Sequence, residues 1–434
     1  MKITRRQLFK TASTASACAA AGVLWGGAAN LSAAENQETP RPLPASFDKL
    51  KPLGDRVKPI RVEEFQARIA HAQQLMAEAK PGFGALYITP GTSLSYFTRI
   101  NWWPSERLLA LLLPRQGEPV LICPAFEEGR LREQLLWPIE IRVWQEDESP
   151  YALTASSLAS RGIRTGTIGV EETTRYVFFD GLRGAAPALE YASGTAVTAG
   201  CRAQKSEHEL ELMRLACAAT CDVYRAAFAG LREGMKQSEV TDMVVRGYDR
   251  MGLEGEVSVL FGPAAAFPHG TREDRALREG DAVLLDDGTT VEGYQSDVTR
   301  TGVFGRPSAQ LQRAFEIVRK AQDAALAAAV AGRECGSVDD AARKVIVDAG
   351  FGPDYKFFPH RLGHGIGMDG HEWPYLVRGN RTILKPRMTF SNEPGIYVPG
   401  EYGLRCEDDM VISESGAAQL LTPGFAHSLE IPVV

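Results

Sequence analysis

The chain has 434 residues, of which 44% are hydrophobic and 24% are charged. This composition is typical of a folded globular protein and does not favour disorder, and the length allows two domains with their own cores. The formal charge is -6, and without the four positive charges of residues 1–34 it is -10. An acidic chain of this kind is not expected to bind nucleic acid.

The first 34 residues have the pattern of a signal peptide. A basic start is followed by an alanine-rich apolar run and by the small residues Ser32-Ala33-Ala34. The segment TRRQLFK, with Arg5 and Arg6, resembles a twin-arginine export signal, which predicts a periplasmic or secreted protein that the Tat export machinery transports. An ordinary secretory signal with a chance arginine pair is the alternative. No later apolar stretch is long enough to span a bilayer, so no stable membrane anchor is expected.

Residues 35–58 are rich in proline and lysine and lack periodicity, which indicates a linker or a surface arm. Residues 59–200 then alternate helical patterns with strand-like runs such as GALYI and EPVLICP, which predicts an α/β domain. Six cysteines follow residue 34 without any CxxC pair, so no sulfur-ligated metal site is indicated. Cys217 and Cys221 lie at helical spacing and are interpreted as small core residues.

A second domain, residues 201–434, begins near a capping box formed by Ser206 and Glu209, which opens a long amphipathic helix. Within this domain two stretches, 234–252 and 332–350, are both predicted short helices with the same glycine-to-glycine spacing. Histidines follow each stretch. The pattern indicates an internal duplication.

The duplication extends to acidic residues at the ends of predicted strands. Asp286 lies five residues past Asp281, Glu393 lies five residues past Met388, and a further acid-bearing strand follows each of them with Asp297 or Glu407. Four carboxylates brought together in a core repel one another and lose solvation, so they need positive charge. Oxygen ligands with one imidazole suit divalent ions of hard to borderline character, and bridging carboxylates can hold two such ions.

Four segments, in this order along the chain, carry a resemblance to a known family: LLDDGTTVEGYQSDVTRTG, HRLGHGIGMDGHEWP, SNEPGIY and GLRCEDD. Together they resemble the M24 metallopeptidases of the pita-bread fold, in the branch of prolidase and Xaa-Pro aminopeptidase. The resemblance covers nearly the whole chain after the signal. It implies an α/β protein in which a creatinase/prolidase-like N-terminal α/β domain precedes a duplicated pita-bread α+β catalytic domain.

The resemblance implies five metal ligands, which are Asp286, Asp297, His364, Glu393 and Glu407. The implied cofactors are two divalent metal ions that activate a shared water molecule, with Mn²⁺ expected first and Co²⁺, Zn²⁺ or Fe²⁺ as alternatives. Asp287 follows a ligand directly, and because side chains alternate along a strand, it is expected on the other face.

Three more histidines receive roles by position. His269 resembles the family histidine that contacts substrate, and His371 the one that donates a proton or hydrogen bond to the tetrahedral intermediate, while Glu393 would accept the proton of the attacking water. An imidazole suits proton transfer because its unperturbed pKa lies close to working pH. Packing alone is the alternative for His371. His360 is expected to order the pocket and contact substrate, and a surface position is expected for the remaining histidines, His71, His208 and His427.

Further substrate contacts are expected from arginine and tryptophan. Arg405 could pair with the ligand carboxylates or contact substrate. Trp102 and Trp103 form an adjacent pair that could wall the substrate pocket of a neighbouring subunit in a homodimer, with core packing as the alternative. Some archaeal prolidases carry an arginine where this chain has Tyr375, and this departure argues against a strict preference for dipeptides. Arg378 and Arg381 are nearby cationic candidates.

The main functional hypothesis is hydrolysis of the bond preceding proline in short proline-containing peptides, by an Xaa-Pro dipeptidase or Xaa-Pro aminopeptidase. A hydrolase or lyase of the same fold that acts on a small non-peptide compound, such as ectoine or dimethylsulfoniopropionate, is the second hypothesis. A non-catalytic binding protein that keeps the fold is the third, although such proteins typically lose the metal ligands that this chain retains.

Overall fold

The computed structural model describes residues 42–80, 82–422, 424 and 427–430. The predicted signal peptide at residues 1–34 and the first part of the predicted linker lie outside the described residues. Within the part of the chain that is described, no helix combines the length and the apolar character needed to cross a membrane.

The N-terminal domain is built around one six-stranded sheet. Its helices are α1 (Val62–Glu78), α2 (Thr92–Thr98), α3 (Glu128–Gln134), α4 (Pro150–Ser160), α5 (Tyr176–Ala185) and α6 (Thr195–Ala203). Its strands are β1 (Phe83–Ile88), β2 (Ala110–Pro114), β3 (Val120–Pro124), β4 (Glu140–Trp144), β5 (Gly166–Val170) and β6 (Leu189–Ser193).

The strand order in this sheet is β4-β3-β2-β1-β5-β6. The pairs β1–β2 and β2–β3 are antiparallel, and the pairs β3–β4, β1–β5 and β5–β6 are parallel. A helix crosses between the strands of the pairs β3–β4 and β5–β6. Strands β2 and β3 are buried along their whole length, which explains their nearly continuous apolar sequences. Hydrophobic clusters cover both faces of the sheet. The α/β expectation for this domain is confirmed.

The chain segment before α1 is closely packed against the second domain. It forms two short 3₁₀ turns, Ala45–Lys49 and Gly54–Arg56. Phe47 is fully buried in the core of the C-terminal domain, and the Ser46 hydroxyl donates a 2.8 Å hydrogen bond to the carbonyl of Ala226. Leu50 and Leu53 are buried in the same core, a packing that the proline- and lysine-rich composition of the segment did not indicate.

The C-terminal domain contains four long helices, α7 (Glu207–Ala229), α8 (Gln237–Arg250), α9 (Ala309–Ala328) and α10 (Cys335–Asp348). The strands of its first half are β7 (Glu254–Gly255), β8 (Ser258–Phe261), β9 (Ala282–Asp286), β10 (Thr289–Val291), β11 (Tyr294–Gln295) and β12 (Arg300–Val303). Those of its second half are β13 (Gly363–Gly365), β14 (Glu372–Leu376), β15 (Thr389–Asn392), β16 (Gly395–Val398), β17 (Tyr402–Arg405), β18 (Asp408–Ile412) and β19 (Ala418–Leu420).

The internal duplication predicted from the glycine spacing is present. Helices α8 and α10 each have 14 residues, and each begins three residues after one glycine and ends two residues before another. All four glycines, Gly234, Gly252, Gly332 and Gly350, have φ between +75° and +94°, a conformation that glycine adopts without steric penalty. In each half an antiparallel strand pair follows, β9 with β12 and β15 with β18.

Candidate metal centre

The four acidic residues lie at corresponding places in the two halves. Asp286 is the last residue of β9, and Glu393 comes directly after β15. Asp297 lies in the loop before β12, and Glu407 immediately precedes β18. Because β9 pairs with β12 and β15 pairs with β18, each half brings its two acids together.

The structure gathers all five predicted ligands in one cluster. Three groups of side chains have potential ligand atoms within 4.8 Å of one another: Asp297, His364 and His371; His364, Glu393 and Glu407; and Asp286, Asp297 and Glu407. Because the groups share members, they form one continuous arrangement. The five side chains are buried or half-buried.

His364 presents a free nitrogen to the acids. Its Nδ1 lies 3.1 Å from the carbonyl oxygen of Gly365, an acceptor only, so Nδ1 carries the proton and donates. Nε2 then keeps its lone pair, and it lies 3.3 Å from Glu393 Oε1 and 3.7 Å from Asp297 Oδ2. A neutral imidazole with one nitrogen fixed by a carbonyl group is the usual form of a histidine metal ligand.

The hydroxyl of Thr299 lies between two of the acids and can serve only one of them. Thr299 Oγ1 contacts a carboxylate oxygen of Asp286 and lies 2.5 Å from Glu407 Oε2. A hydroxyl has one proton, so it can donate to only one of these two carboxylates at a time. A divalent cation would satisfy the other. The donor set of four carboxylates and one imidazole therefore fits two divalent ions.

The pKa shifts reflect the crowding of these acids. Burial raises the pKa of Asp297 well above its ordinary value, and the neighbouring carboxylates, Asp286 foremost, raise it further. The pKa of Glu407 is raised for the same reasons. Burial also opposes ionisation of Glu393, but its contacts with His364 and His360 and the positive charge of Arg405 outweigh burial, so the pKa of Glu393 is lowered. Mutual repulsion of this kind is relieved when cations bind.

His371 and His269 are both exposed, and His371 is in direct contact with the cluster. The rings of His371 and His364 are stacked, with centroids 3.6 Å apart and an interplanar angle of 25°. His269 is exposed in the loop between β8 and β9. The two residues are therefore accessible to a substrate, as the roles suggested for them require.

His360, Tyr397 and Arg405 form a hydrogen-bond chain beside Glu393. His360 Nδ1 donates to the carbonyl of Arg361 at 2.8 Å, which leaves Nε2 to accept a 2.8 Å hydrogen bond from the Tyr397 hydroxyl. Arg405 Nη1 donates to that hydroxyl oxygen at 2.8 Å. Burial lowers the pKa of His360 to about 4. His360 is thus a neutral residue that orders the pocket.

Arg405 pairs with the acids, which was the first of the two roles considered for it. Its Nη2 contacts a carboxylate oxygen of Asp286, and its Nε donates to Thr299 Oγ1 at 3.0 Å. The guanidinium is buried, and its hydrogen-bonding capacity is used within the protein. Neither Thr299 nor Tyr397 was predicted from the sequence. Thr299 lies two residues after Asp297, a spacing that could have indicated a shared face.

A second buried network supports the strand that carries Glu407. Arg300 Nη1 donates to the carbonyl of Glu407 at 2.6 Å, and its Nη2 donates to Asp408 Oδ1 at 2.8 Å. His427 Nε2 lies 2.7 Å from Asp408 Oδ2, and the His427 side chain is only 5% exposed. The surface position expected for His427 was therefore wrong: this residue comes near the chain end but reaches back to a buried acid.

The tryptophan pair divides into one buried and one exposed residue. Trp102 lies in the core of the N-terminal domain, where the guanidinium of Arg130 lies 4.9 Å from the centroid of its ring. This is the core packing considered as the alternative. Trp103 is 54% exposed, so a substrate-lining role for it stays a prediction. Cys217 and Cys221 are buried and unbridged, as expected for core residues.

The ring of Tyr375 lies against the guanidinium group of an arginine. The Cζ atom of Arg361 lies 4.1 Å from the ring centroid, and Tyr375 is the cross-strand partner of His364. Arg378, considered earlier as a cationic candidate, instead forms ion pairs at the surface with Asp354 and Asp340.

A duplicated helix and strand unit that gathers four carboxylates and a histidine defines a metallopeptidase. The chain belongs to metallopeptidase family M24: residues 211–414 match that family, and residues 68–204 match the creatinase/prolidase N-terminal domain.

Curated relatives match over nearly their whole length. A protein of Mycobacterium tuberculosis called a probable dipeptidase PepE is 35% identical over 366 residues, which cover 82% of this chain and 94% of the relative. An Xaa-Pro dipeptidase of Lactobacillus delbrueckii subsp. lactis is 33% identical, with coverage of 77% and 92%.

Solved structures give the same result. A dipeptidase PepE from Mycobacterium ulcerans superposes with a TM-score of 0.80 at 34% identity, covering 87% of this chain and 100% of that one. A prolidase from Thermococcus sibiricus superposes with a TM-score of 0.76 at 31% identity, covering 84% and 98%. The predicted combination of creatinase-type and pita-bread domains is confirmed, and the protein is an enzyme of the metallopeptidase class.

Proposed function

We propose that this enzyme hydrolyses the bond preceding proline in short peptides and that dipeptides are its preferred substrates. The observation that carries the proposal is the single cluster of Asp286, Asp297, His364, Glu393 and Glu407, with His371 exposed at its edge. The relatives whose names specify a dipeptidase or a prolidase support it.

The same five side chains would hold two divalent ions, with Mn²⁺ as the first candidate and Co²⁺, Zn²⁺ and Fe²⁺ as alternatives. When bound, such ions supply an activated water and a Lewis acid at the scissile carbonyl. The residues of the chain manage protons and orientation. Glu393 accepts a proton from the attacking water, His371 donates a hydrogen bond or proton to the tetrahedral intermediate, and His269 contacts the substrate.

Arg361 is our candidate for the group that binds the free carboxylate of a dipeptide. The Arg361 guanidinium is held over the ring of Tyr375, and Tyr375 is the cross-strand partner of His364. A fixed positive charge therefore lies against the strand pair that carries His364, a proposed metal ligand. Replacement by methionine is expected to raise KM for Xaa-Pro dipeptides by about 10-fold and to change KM less for longer peptides, whose carboxylate lies farther along. An equal rise for both lengths would contradict this assignment.

Export through the Tat machinery to the periplasm or outside the cell, and assembly as a homodimer, belong to the proposal as well. The twin-arginine pattern of residues 1–34 supports the first. The exposed Trp103 supports the second, because a large apolar side chain at the surface is often covered by a partner. Cell fractionation with Arg5→Lys and Arg6→Lys, and the mass of the purified protein in solution, test them.

The decisive experiment is a substrate panel on metal-reconstituted protein. Xaa-Pro dipeptides, Xaa-Pro tripeptides, dipeptides without proline and ectoine are compared after loading with Mn²⁺, Co²⁺ or Zn²⁺. We expect turnover of Xaa-Pro dipeptides with kcat/KM at least about 10-fold above the other classes. Glu393→Ala, prepared identically, controls for contaminating peptidases. Preferred turnover of ectoine or of peptides lacking proline would overturn the proposal.

A further inference from the structure

The loop that carries His371 is held by the N-terminal domain. This loop, residues 366–371, connects β13 to β14 in the catalytic domain. Its Asp369 accepts two hydrogen bonds of 2.5 Å from the other domain, one from the hydroxyl of Thr92 and one from Nη2 of Arg202. The residue after His371, Glu372, is held by Arg202 of the N-terminal domain and by Lys205 of the segment that joins the two domains.

Glu372 lies between two cations. Its Oε2 is 2.5 Å from Arg202 Nη2, and its Oε1 is 2.5 Å from Lys205 Nζ. The side chains of Glu372, Arg202 and Lys205 are 6%, 11% and 2% exposed. The triad also packs closely on the loop, since a Cβ at Gly367 would lie 2.5 Å from Glu372 Oε1 and 2.8 Å from Lys205 Cε.

A buried ion triad is tolerated only when its partners are all present. Removing one leaves an uncompensated charge in a poorly solvated place, so the remaining groups must move or take up water. Burial alone would raise the pKa of Glu372, but Lys205 and Arg202 outweigh it and lower that pKa. The Glu372 carboxylate is therefore held in place, and Glu372 directly follows His371 in the chain.

We propose that Arg202 and Lys205 are positioning residues for catalysis: through Glu372 and Asp369 they hold the His371 ring in its stacked place over His364. The end of the N-terminal domain and the segment that follows it thereby set the geometry of a proton-donating group in the catalytic domain. This inference rests on the function proposed for His371. An imidazole that is displaced by about 1 Å from its working position can lose on the order of 100-fold in rate.

The test is a double-mutant cycle on the metal-loaded, full-length enzyme. Arg202→Met, Lys205→Met and Glu372→Gln are each made alone and together with His371→Ala. Alone, each is expected to lower kcat about 10- to 100-fold, with KM within about 3-fold and metal content unchanged. In the His371→Ala background the same changes are expected to lower kcat less than about 2-fold, because the group that they position is absent.

Loop mobility gives a readout that does not depend on activity. Hydrogen–deuterium exchange of residues 366–374 is expected to rise at least about 10-fold in the three variants. Arg68→Met is the matched control, since Arg68 is a buried arginine that joins the same two domains, through Glu209 at 3.1 Å. It is expected to leave exchange in residues 366–374 unchanged.

The outcomes separate the two proposals. The effects of Arg202→Met, Lys205→Met and Glu372→Gln on kcat could multiply with the effect of His371→Ala while exchange of the loop stays unchanged. In that case the triad is structural only, and the positioning role is overturned. If His371→Ala keeps full activity while exchange rises, the triad holds the loop but the role proposed for His371 fails, and catalytic positioning fails with it. Glu372→Gln is isosteric and Thr92→Val removes a single hydrogen bond, so these variants serve where a methionine variant does not fold.

Discussion

The two halves of the catalytic domain are alike in their acids and different in their histidines. Each half has a 14-residue helix that is flanked by glycines with positive φ. Each half also has an antiparallel strand pair that supplies two carboxylates. The first half adds one exposed histidine, His269, to the site. The second adds His360, His364 and His371, of which His364 is buried among the acids.

The difference indicates a division of labour. The duplicated part provides symmetric negative charge, which two cations need, and the part that has diverged provides imidazoles, which orient groups and transfer protons. In the second half, Asp369 and Glu372, on either side of His371, form ion pairs with Arg202 and Lys205. Substitutions in the symmetric part should therefore act alike in both halves, whereas histidine substitutions should not.

The largest expected effect comes from removing one carboxylate from either half. Asp297→Asn and Glu407→Gln keep the side-chain shape but remove a charge, and each is expected to lower kcat/KM by at least about 1000-fold. Metal content, measured by elemental analysis after dialysis, should fall from about two ions per chain toward one in both variants. Full metal content in one variant and loss in the other would break the proposed equivalence of the halves.

The next effect separates the halves through their exposed histidines. His371→Ala is expected to lower kcat by about 100- to 1000-fold with metal content intact, because a general acid contributes only to the reaction step. His269→Ala is expected to act mainly through KM, by about 10-fold, because it removes a substrate contact. Steady-state kinetics on one Xaa-Pro dipeptide measures both. Equal effects on kcat would assign the two histidines the same task.

The proposed ligand residues could be predicted from the sequence because each one lies in one of the four short motifs that resemble the family, and because the acids of the two halves repeat the spacing. Thr299 could have been recognised only by its spacing from Asp297. Tyr397 and the Arg202–Lys205–Glu372 triad could not be predicted, since their role depends on contacts between segments far apart in sequence. His427 was misplaced for the same reason: a histidine near the chain end offers no periodicity, and only the fold brings it to Asp408.

A smaller effect concerns stability and is specific to the second half. The pKa of His360 is lowered by burial to about 4, against about 6.5 in an unfolded chain. Between pH 4 and 6.5 the unfolded chain therefore binds a proton that the folded protein excludes. The free energy of unfolding should fall as the pH is lowered through this window, while the contribution of His360 is fully present above pH 6.5.

Urea unfolding of chelated protein at pH 7 and pH 4.5 measures this effect, with His360→Gln as the comparison. Wild type should lose about 2 kcal/mol more than the variant between these two pH values. The same loss in both proteins would mean that His360 is protonated as readily in the folded protein as in the unfolded chain.

The smallest predicted effect tests the symmetry of the backbone itself. Gly234 and Gly332 precede the two equivalent helices with φ of +81° and +87°, and at both a Cβ would meet nothing within 4 Å. Alanine at either position therefore adds no clash, only the penalty of a left-handed conformation, about 1 kcal/mol. Gly129, also open but without a positive φ, serves as the control. Clearly different losses in the free energy of unfolding for Gly234→Ala and Gly332→Ala would show that the two turns carry unequal strain.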